Sequence, residues 1–290
     1  LIFTGSASVG KAVIRSAAAN LTPVTREPGG KSPGRIGRSA ALDTAVFRIM
    51  RTKMLNAGQI CLAPDYVLLP QEDLGRFRDA ALRWAAEYAD ALPGGSTGTN
   101  IISEEHAERI QGYVAEARQK GLEVIEFGAD RGGKGSSGSV PAEDARTVRA
   151  ALIIEPFDDL RVMREEIFGP VLPVKSYTYL HEAIDYVNAR PRPLALYYFG
   201  GNRREMRRVL RDTISGSVTT NHTLVPVGYP DLPLGGIGMS GTGRYHGYDG
   251  FREFSHHRAV YRQGIFDPFS LLKPPYTDRH RRMVKRMIRR

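Results

Sequence analysis

Apolar positions follow two different periods along the chain, and their alternation predicts strands followed by helices. Short apolar runs predict strands at residues 1–4, 66–69, 122–127, 151–155, 171–177, 193–199 and 215–221. Longer stretches with a helical pattern predict helices at residues 8–20, 42–55, 74–92, 103–120, 180–189 and 202–213. Strands that alternate with helices in this way indicate an α/β fold with a largely parallel sheet.

Glycine and proline clusters mark the breaks between these elements. Gly29 and Gly30 predict one turn, and the run Ser32, Pro33, Gly34 predicts another. Residues 129–141 are rich in Gly and Ser, which predicts a loop. The chain contains no internal repeat.

The overall composition is that of a globular protein. Of the 290 residues, 41% are hydrophobic and 25% are charged, which excludes disordered and fibrous classes. No apolar run is long enough for a membrane helix, and the first residues do not resemble a secretory leader. A single cysteine cannot form an internal disulfide and fits a reducing compartment, so we expect a cytoplasmic protein.

The net charge of +10 belongs mainly to the end of the chain. The last twelve residues contain seven Lys or Arg and no acid, which leaves +3 on the other 278 residues. This distribution argues against a nucleic-acid partner. Met283 and Val284, with Met287 and Ile288 four residues later, predict an amphipathic helix. A solvated terminal helix is the favoured interpretation, and weak contact with an anionic membrane surface is the alternative.

The first residues have the spacing of a phosphate-binding loop. From Gly5 the chain reads Gly-x-x-x-x-Gly-Lys, but Ala12 stands where Ser or Thr would bind magnesium. A strand, a glycine turn and a helix start together present free N–H groups and a helix dipole to an anion. The segment could therefore bind a pyrophosphate without magnesium. A triphosphatase loop, disfavoured by Ala12, and an ordinary turn are the alternatives.

A second glycine motif, at residues 236–241, matches Gly-x-Gly-x-x-Gly. The residues before it make a poor strand, and those after it do not start a convincing helix. We therefore interpret it as a tight loop in which backbone segments approach closely.

Two residues could carry covalent chemistry. Cys61 follows a turn of small residues that can expose a thiol and direct backbone N–H groups at it, which favours the thiolate. Glu27 precedes two glycines that would let a substrate approach closely. A lone Cys is more often a buried apolar residue, and a single Glu is more often a surface carboxylate. The histidines lack the spacing of a metal site, so no metal is expected.

Five segments in this order resemble the NAD(P)-dependent aldehyde dehydrogenases. They are FTGSASVG, LTPVTREPGGKSP, NAGQICLAPDYVL, EEIFGPVLPV and LPLGGIGMSGTGRYHG, and the resemblance runs from residue 1 to about residue 262. The 34-residue separation of Glu27 and Cys61 is also that of the family. The segments NARPRPLALYYFG, GRYHGYDGFREFSHHR and PPYTDRHRR are most similar to the fatty and coniferyl aldehyde dehydrogenases.

The resemblance implies a role for each matched residue. Cys61 would be the nucleophile and Glu27 the general base of an aldehyde oxidation that uses NAD or NADP. Glu166 would bind the nicotinamide ribose, with Phe168 beside it, and Asn221, Gly235 and Gly236 would border the substrate. The pyrophosphate side of the cofactor would contact Gly5, Ser6, Ala7, Ser8, Val9 and Gly10. The substrate would be an aromatic, coniferyl-type aldehyde or a fatty aldehyde, and the protein a homodimer.

The chain departs from the family pattern at three of the matched positions. Arg26 and Pro28 flank the glutamate where the family has leucines, and Leu234 replaces a usual phenylalanine. Family members carry a further half upstream, so we expect residues 1–290 alone to be poorly soluble, to bind NAD weakly and to show no turnover.

The resemblance divides the chain into a cofactor-domain remnant (1–26), a catalytic domain (27–225), a closing loop with an oligomerisation strand (226–265) and a basic tail (266–290). A catalytically inactive remnant that acts as a binding module is the alternative.

Overall fold

The computed structural model describes residues 1–127, 144–267, 269 and 273–288. The predicted loop at 129–141 lies outside these residues. The chain forms two compact units, Leu1–Phe254 and Ser255–Arg290. The predicted division into four segments stays a prediction, although its boundary between residues 26 and 27 falls inside a strand of the first unit.

The first unit contains the predicted strands and helices in their predicted order, with additional strands at Thr25–Glu27 and Pro33–Ile36 and additional helices at Arg161–Arg164 and Gly247–Glu253. Its strands are β1 Ile2–Thr4, β2 Thr25–Glu27, β3 Pro33–Ile36, β4 Tyr66–Pro70, β5 Val124–Phe127, β6 Ala150–Ile154, β7 Val171–Tyr177, β8 Ala195–Phe199 and β9 Ser217–Thr220. Its helices are α1 Ala7–Ala18, α2 Leu42–Met54, α3 Leu74–Glu87, α4 Glu104–Gln119, α5 Arg161–Arg164, α6 Leu180–Asn188, α7 Arg203–Asp212 and α8 Gly247–Glu253. The second unit contains helix α9, Asp278–Ile288.

The strands form two sheets. The larger has the order β5-β6-β7-β4-β3-β8-β9, and every neighbouring pair is parallel except β5 with β6. The smaller pairs β1 with β2 in parallel register, so that Thr4 lies opposite Glu27. The predicted α/β class with a largely parallel sheet is confirmed.

Helices cover both faces of the larger sheet. In β4, Val67 and Leu69 point to the face covered by α2 and α3, whereas Tyr66 and Leu68 point to the face covered by α4 and α6. Side chains alternate because successive residues of a strand point to opposite faces. Every residue of β3, β4, β6 and β8 is buried, which explains why these strands show apolar runs or glycine and not a polar face.

The turn predicted at Ser32, Pro33 and Gly34 is wrong. Pro33 is the first residue of β3, which lies between β4 and β8 near the middle of the sheet. Proline is tolerated at the first position of a strand because its missing N–H is not yet needed by the sheet. Gly34 is enclosed by its neighbours, because a Cβ at this position would already lie 3.6 Å from side-chain atoms of Ile49 and Val67.

Two further elements differ from the sequence expectation. A short helix, α8, begins at Gly247, after the second glycine motif, where no convincing helix was expected. The motif itself is a tight loop as predicted: a Cβ on Gly236 would lie 1.9 Å from the Ser240 carbonyl oxygen. The basic tail forms α9 with no buried residue, and no helix in the described ranges is long and apolar enough to cross a membrane.

Candidate active site

Glu27 ends the short strand β2 and is almost fully buried, with 2% of its surface exposed. Its carbonyl oxygen accepts a hydrogen bond from Gly5 N at 3.4 Å, so the glycine turn of the first residues lies directly beside it. Its side-chain atom Oε2 is buried and meets no donor in good geometry in the described part of the chain. A buried carboxylate oxygen without a hydrogen-bond donor is costly, and such atoms mark candidate functional sites.

The turn before Cys61 has an unusual backbone. Asn56, Ala57 and Gly58 all adopt left-handed conformations, with φ of 52°, 53° and 74°. A Cβ on Gly58 would lie 2.2 Å from the carbonyl oxygen of Gly169, so only glycine fits there. The turn therefore packs against the segment that contains Glu166 and Phe168.

The side chain of Gln59 holds this turn in place. Its Nε2 donates to the carbonyl oxygens of Asn56 and Asn100 at 3.0 and 3.1 Å, and its Oε1 accepts from Ile102 N at 2.9 Å. On the other side of the cysteine, the Tyr197 hydroxyl donates to the Leu62 carbonyl oxygen at 2.5 Å. These contacts fix the backbone on both sides of the nucleophile position.

Cys61 and Glu27 interact directly. Burial and the neighbouring Glu27 carboxylate raise the pKa of the Cys61 thiol to about 12, although the Leu62 N–H points at the sulfur and lowers it. Burial also raises the pKa of Glu27, partly offset by its hydrogen bond with Cys61 and by the charge of His246. The expected thiolate is therefore not the resting form. A neutral thiol beside a buried carboxylate is a pair that can exchange one proton.

Glu166 lies over the two glycines that follow Glu27. A Cβ on Gly29 would lie 2.4 Å from its Oε1, and the Gly30 N–H binds the carboxylate. Burial and Asp65 raise the Glu166 pKa to about 7. Its charge also raises the Cys61 pKa, so Glu166 lies in the same electrostatic environment as the Cys61–Glu27 pair.

A buried ionic network lies beside Glu166, and spacing along the chain did not predict it. Lys31 forms an ion pair with Asp65 and donates to the carbonyl oxygens of Val162 and Glu165 at 2.8 and 2.9 Å. Asp65 Oδ1 also accepts from the Ile167 N–H at 3.1 Å. Lys53 is fully buried 3.8 Å from Asp65, and its burial lowers the lysine pKa to about 8. The three charges connect separate elements in the fold, so spacing along the chain does not reveal them.

The cofactor residues expected at the chain start lie around the N-terminus of α1. Ser6 caps the helix by accepting from Val9 N at 3.4 Å, and its hydroxyl lies 3.0 Å from that of Ser8. The first turn carries no acidic residue. Gly5, Ser6, Ser8 and Val9 are exposed, Ala7 is half-buried, and Gly10 packs against the Phe3 ring. An exposed helix N-terminus with two hydroxyls and no acid fits a bound pyrophosphate.

The remaining expected residues are Phe168, Asn221, Gly235 and Gly236. Phe168 is 39% exposed with a left-handed φ of 47°. Asn221 uses its side chain on the backbone of Gly200, accepting from N at 2.8 Å and donating to O at 3.1 Å. A Cβ on Gly235 would lie 2.3 Å from the Gly243 carbonyl oxygen. Asn221, Gly235 and Gly236 thus shape loops here, and their contact with substrate stays a prediction.

Residues 234–246 lie within the predicted closing segment (226–265) and are called the closing loop from here on. This loop pairs with β2, the strand that carries Glu27. Arg26 and Thr242 exchange two backbone hydrogen bonds of 2.9 Å each, and Arg26 Nη2 donates to the Gly238 carbonyl oxygen at 2.6 Å. The loop brings His246 close enough for its charge to lower the Glu27 pKa. Among the described residues, no group of three or more His, Cys, Asp or Glu side chains could bind a metal ion.

Comparison with known proteins gives a consistent result. The aldehyde dehydrogenase family matches residues 1–260. A "Probable coniferyl aldehyde dehydrogenase" of Caulobacter vibrioides is 48% identical over 292 residues, covering 100% of this chain and 59% of the relative. "Aldehyde dehydrogenase, dimeric NADP-preferring" of Rattus norvegicus is 36% identical over 261 residues, covering 89% of this chain and 54% of the relative.

A solved structure supports the same assignment. The substrate-bound state of Staphylococcus aureus AldH has a TM-score of 0.84 and 32% identity, and the match covers 99% of this chain and 60% of that one. The chain therefore spans between half and two thirds of the length of the proteins it matches. With the matched residues running through almost the whole chain, it belongs to the aldehyde dehydrogenase family.

Proposed function

We propose that this chain carries the catalytic residues for oxidation of an aldehyde to a carboxylic acid with a nicotinamide cofactor. The observation that carries the proposal is the buried pairing of the Cys61 thiol with the Glu27 carboxyl. A nucleophile and a base within reach of each other are the minimum for covalent acyl chemistry. Membership of the aldehyde dehydrogenase family supports the same reaction.

The reaction begins with removal of the thiol proton. The Glu27 carboxylate accepts it as the sulfur of Cys61 attacks the aldehyde carbon, forming a thiohemiacetal with negative charge on the former carbonyl oxygen. We assign the Cys61 backbone N–H as the donor to that oxygen. When bound, the nicotinamide supplies a hydride acceptor, and loss of hydride from the substrate carbon leaves a thioester on Cys61.

Glu27 then acts a second time. Once it has released its proton to solvent, its carboxylate takes a proton from water, and the resulting hydroxide attacks the thioester carbon. The C–S bond breaks, the carboxylic acid leaves, and the sulfur recovers a proton. Sulfur suits this sequence because it is a better leaving group than a serine oxygen.

Two parts of the structure would hold the cofactor. The N-terminus of α1 with Ser6 and Ser8 suits the pyrophosphate, and Glu166 with Phe168 suits the nicotinamide ribose. We assign NAD or NADP without choosing between them. The name of the rat relative includes an NADP preference, and this supports the nicotinamide class alone.

For the substrate, we propose a bulky aromatic, coniferyl-type aldehyde or a fatty aldehyde. The similarity to the coniferyl aldehyde dehydrogenase of Caulobacter supports this choice. Leu234, which replaces the family's usual phenylalanine, is 3% exposed and packs in the hydrophobic core. Such aldehydes should exceed acetaldehyde in kcat/KM, and a clear preference for acetaldehyde would refute the assignment.

The assembly and location of the protein are further proposals. The rat relative is named as dimeric, which supports a homodimer here. A catalytic thiol must stay reduced, which favours the cytoplasm. In α9 the exposed side chains of Met287 and Ile288 lie beside five Lys or Arg, which suits weak contact with anionic lipid. Sedimentation with anionic and with neutral vesicles tests that contact.

Replacement of the nucleophile tests the proposed function. In the complete gene product, Cys61→Ala should lose aldehyde oxidation by about 10⁴-fold or more, because the covalent step is removed. Cofactor binding, measured by calorimetry, should persist, since Cys61 is not a cofactor ligand in this proposal. Normal turnover by the variant would overturn the assignment, and an inactive wild type would favour the binding-module alternative.

A further inference from the structure

The segment that carries Glu166, residues 165–168, lies between α5 and β7 and has no regular secondary structure. Phe168, at its end, has a left-handed φ of 47°. A residue other than glycine keeps such a conformation only where its surroundings determine it. Ile167 is fully buried, so its backbone groups need hydrogen-bond partners, and no strand or helix supplies them.

Arg109 of helix α4 supplies two of these partners. Its Nη1 donates to the Glu166 carbonyl oxygen at 3.2 Å, and its Nη2 donates to the Ile167 carbonyl oxygen at 3.0 Å. The same Nη1 donates to the Tyr113 hydroxyl at 2.7 Å, and that hydroxyl donates to Glu165 Oε2 at 2.7 Å. One guanidinium on a helix that packs into the core therefore holds two successive carbonyl oxygens of the segment.

Charged groups near the sheet hold the rest of the segment. Asp65, immediately before β4, accepts from the Ile167 N–H at 3.1 Å. Lys31 forms an ion pair with Asp65 and donates to the Glu165 carbonyl oxygen at 2.9 Å. Hydrogen bonds to charged groups are roughly twice as strong as those between neutral groups. The backbone is thus bound by charged side chains before, at and after Glu166.

This support leaves the Glu166 side chain directed at the glycine turn. Its carboxylate accepts from the Gly30 N–H, and its Oε1 would lie 2.4 Å from a Cβ on Gly29. A carboxylate whose position is fixed in advance loses less entropy when it binds a ligand hydroxyl. Residues that fix the backbone of Glu166 would thereby raise ligand affinity through Glu166.

We propose that Arg109 is a positioning residue for Glu166. By binding the carbonyl oxygens of Glu166 and Ile167, it keeps the Glu166 carboxylate against Gly30, where the nicotinamide ribose would bind. The inference rests on the proposed function, because that function assigns Glu166 to the ribose.

The geometry of the side chain explains why this position holds an arginine. A planar guanidinium can bind two oxygens at once through separate nitrogens, whereas the lysine ammonium is a compact point charge on a flexible stem. Arg109→Lys should therefore recover only part of the cofactor affinity that Arg109→Gln loses.

Calorimetric titration of NAD into the complete gene product tests the proposal without any turnover. Arg109→Gln and Glu166→Gln should each weaken NAD binding by about tenfold. The double variant should bind NAD no more weakly than Glu166→Gln alone, because Arg109 acts through the carboxylate that is already gone. A merely structural role for Arg109 would instead make the two losses multiply.

Hydrogen exchange gives a second measurement that does not involve the cofactor. The Gly30 N–H, which binds the Glu166 carboxylate, should exchange about threefold or more faster in Arg109→Gln than in the wild type. The matched control is Arg118→Gln, at an exposed position of the same helix where Arg118 pairs with Glu126 at 3.0 Å. This control should change neither NAD affinity nor exchange at Gly30.

If Arg109→Gln does not fold, Arg109→Lys takes its place in both measurements. Losses that multiply in the double variant, or a Gly30 N–H that exchanges at the wild-type rate, would overturn the proposal. Glu166→Gln could instead bind NAD as tightly as the wild type while Gly30 exchanges faster in the Arg109 variant. The assignment of the ribose to Glu166 would then be wrong, and the positioning of Glu166 by Arg109 would stand.

Discussion

The turn at residues 56–58, before Cys61, and helix α1 differ in how firmly packing and hydrogen bonds fix them in the fold. The turn before Cys61 is enclosed by Gly169, Gln59 and Tyr197, and it sits on a sheet whose central strands are buried throughout. In helix α1 only Gly10 is buried, and strand β1 is half-buried at best. The first region is fixed by packing and hydrogen bonds, whereas the second rests on one two-stranded pairing.

In the proposed function, this difference separates the region of the covalent chemistry from the region that binds the cofactor. The covalent step needs its groups within fractions of an ångström, which a close-packed environment supplies. A pyrophosphate site needs mainly exposed N–H groups, which a helix end supplies without close packing. Substitutions in the first region should therefore affect stability strongly, and those in the second should affect it little.

The largest stability effect is expected at the nucleophile turn. Gly58→Ala adds a Cβ 2.2 Å from the Gly169 carbonyl oxygen at a φ of 74°. We expect it to lower the free energy of unfolding by about 4 kcal/mol and to remove activity. Denaturant unfolding measures the change. Gly75→Ala, on α3 with nothing within 4 Å of the new Cβ, is the control and should be neutral or stabilising.

An intermediate effect is expected at Lys53. Burial lowers its pKa from 10.5 to about 8, so between these values the unfolded chain binds a proton that the folded chain has lost. The cost of burying Lys53 in the folded protein therefore falls as pH rises from about 8 to 10.5. Lys53→Met should be more stable than the wild type by about 2 kcal/mol at pH 7, with the gap closing towards pH 10. A gap that does not depend on pH would show that Lys53 is not the titrating group.

The smallest stability effect is expected at the N-terminus of α1, where Ser6 caps the helix. Ser6→Ala removes a cap bond that is long and exposed, and should cost less than about 1 kcal/mol of unfolding free energy. Cofactor affinity, measured by calorimetry, should fall several-fold if the hydroxyl contacts the pyrophosphate. Should affinity stay unchanged, the cofactor would not bind at this helix end, and the contrast between the two regions would lose its functional meaning.

The local pattern of apolar residues predicted strands correctly where that pattern reflects burial. The runs at 66–69 and 193–199 became β4 and β8 because both faces of these strands are covered. It failed at β3, where Pro33 and Gly34 have the composition of a turn and only the neighbouring strands make them a strand. Tertiary pairing overrode local propensity there.

The site shows the same division. Cys61 and Glu27 could be named as candidates because a family resemblance fixes their spacing, and their roles stay a prediction. The raised thiol pKa could not, since it depends on burial and on the approach of Glu27. The Lys31, Asp65 and Lys53 network and the placement of His246 depend on contacts between residues far apart in the chain. The sequence signal that could have indicated His246 as part of the site is its position in the RYHG segment, which follows the glycine motif at residues 236–241.

The most direct test of the two-step role of Cys61 and Glu27 is a single-turnover experiment with Glu27→Gln in the complete gene product. The variant should reduce about one equivalent of cofactor per site, more slowly than the wild type because the Cys61 thiol has lost its proton acceptor. It should then stall, because hydrolysis of the thioester without the base slows further still, by about 10²- to 10⁴-fold. Mass spectrometry of the peptide that contains Cys61 should show the acyl adduct of the aldehyde used. Turnover at the wild-type rate without an adduct would contradict the account, because another group would then activate the water.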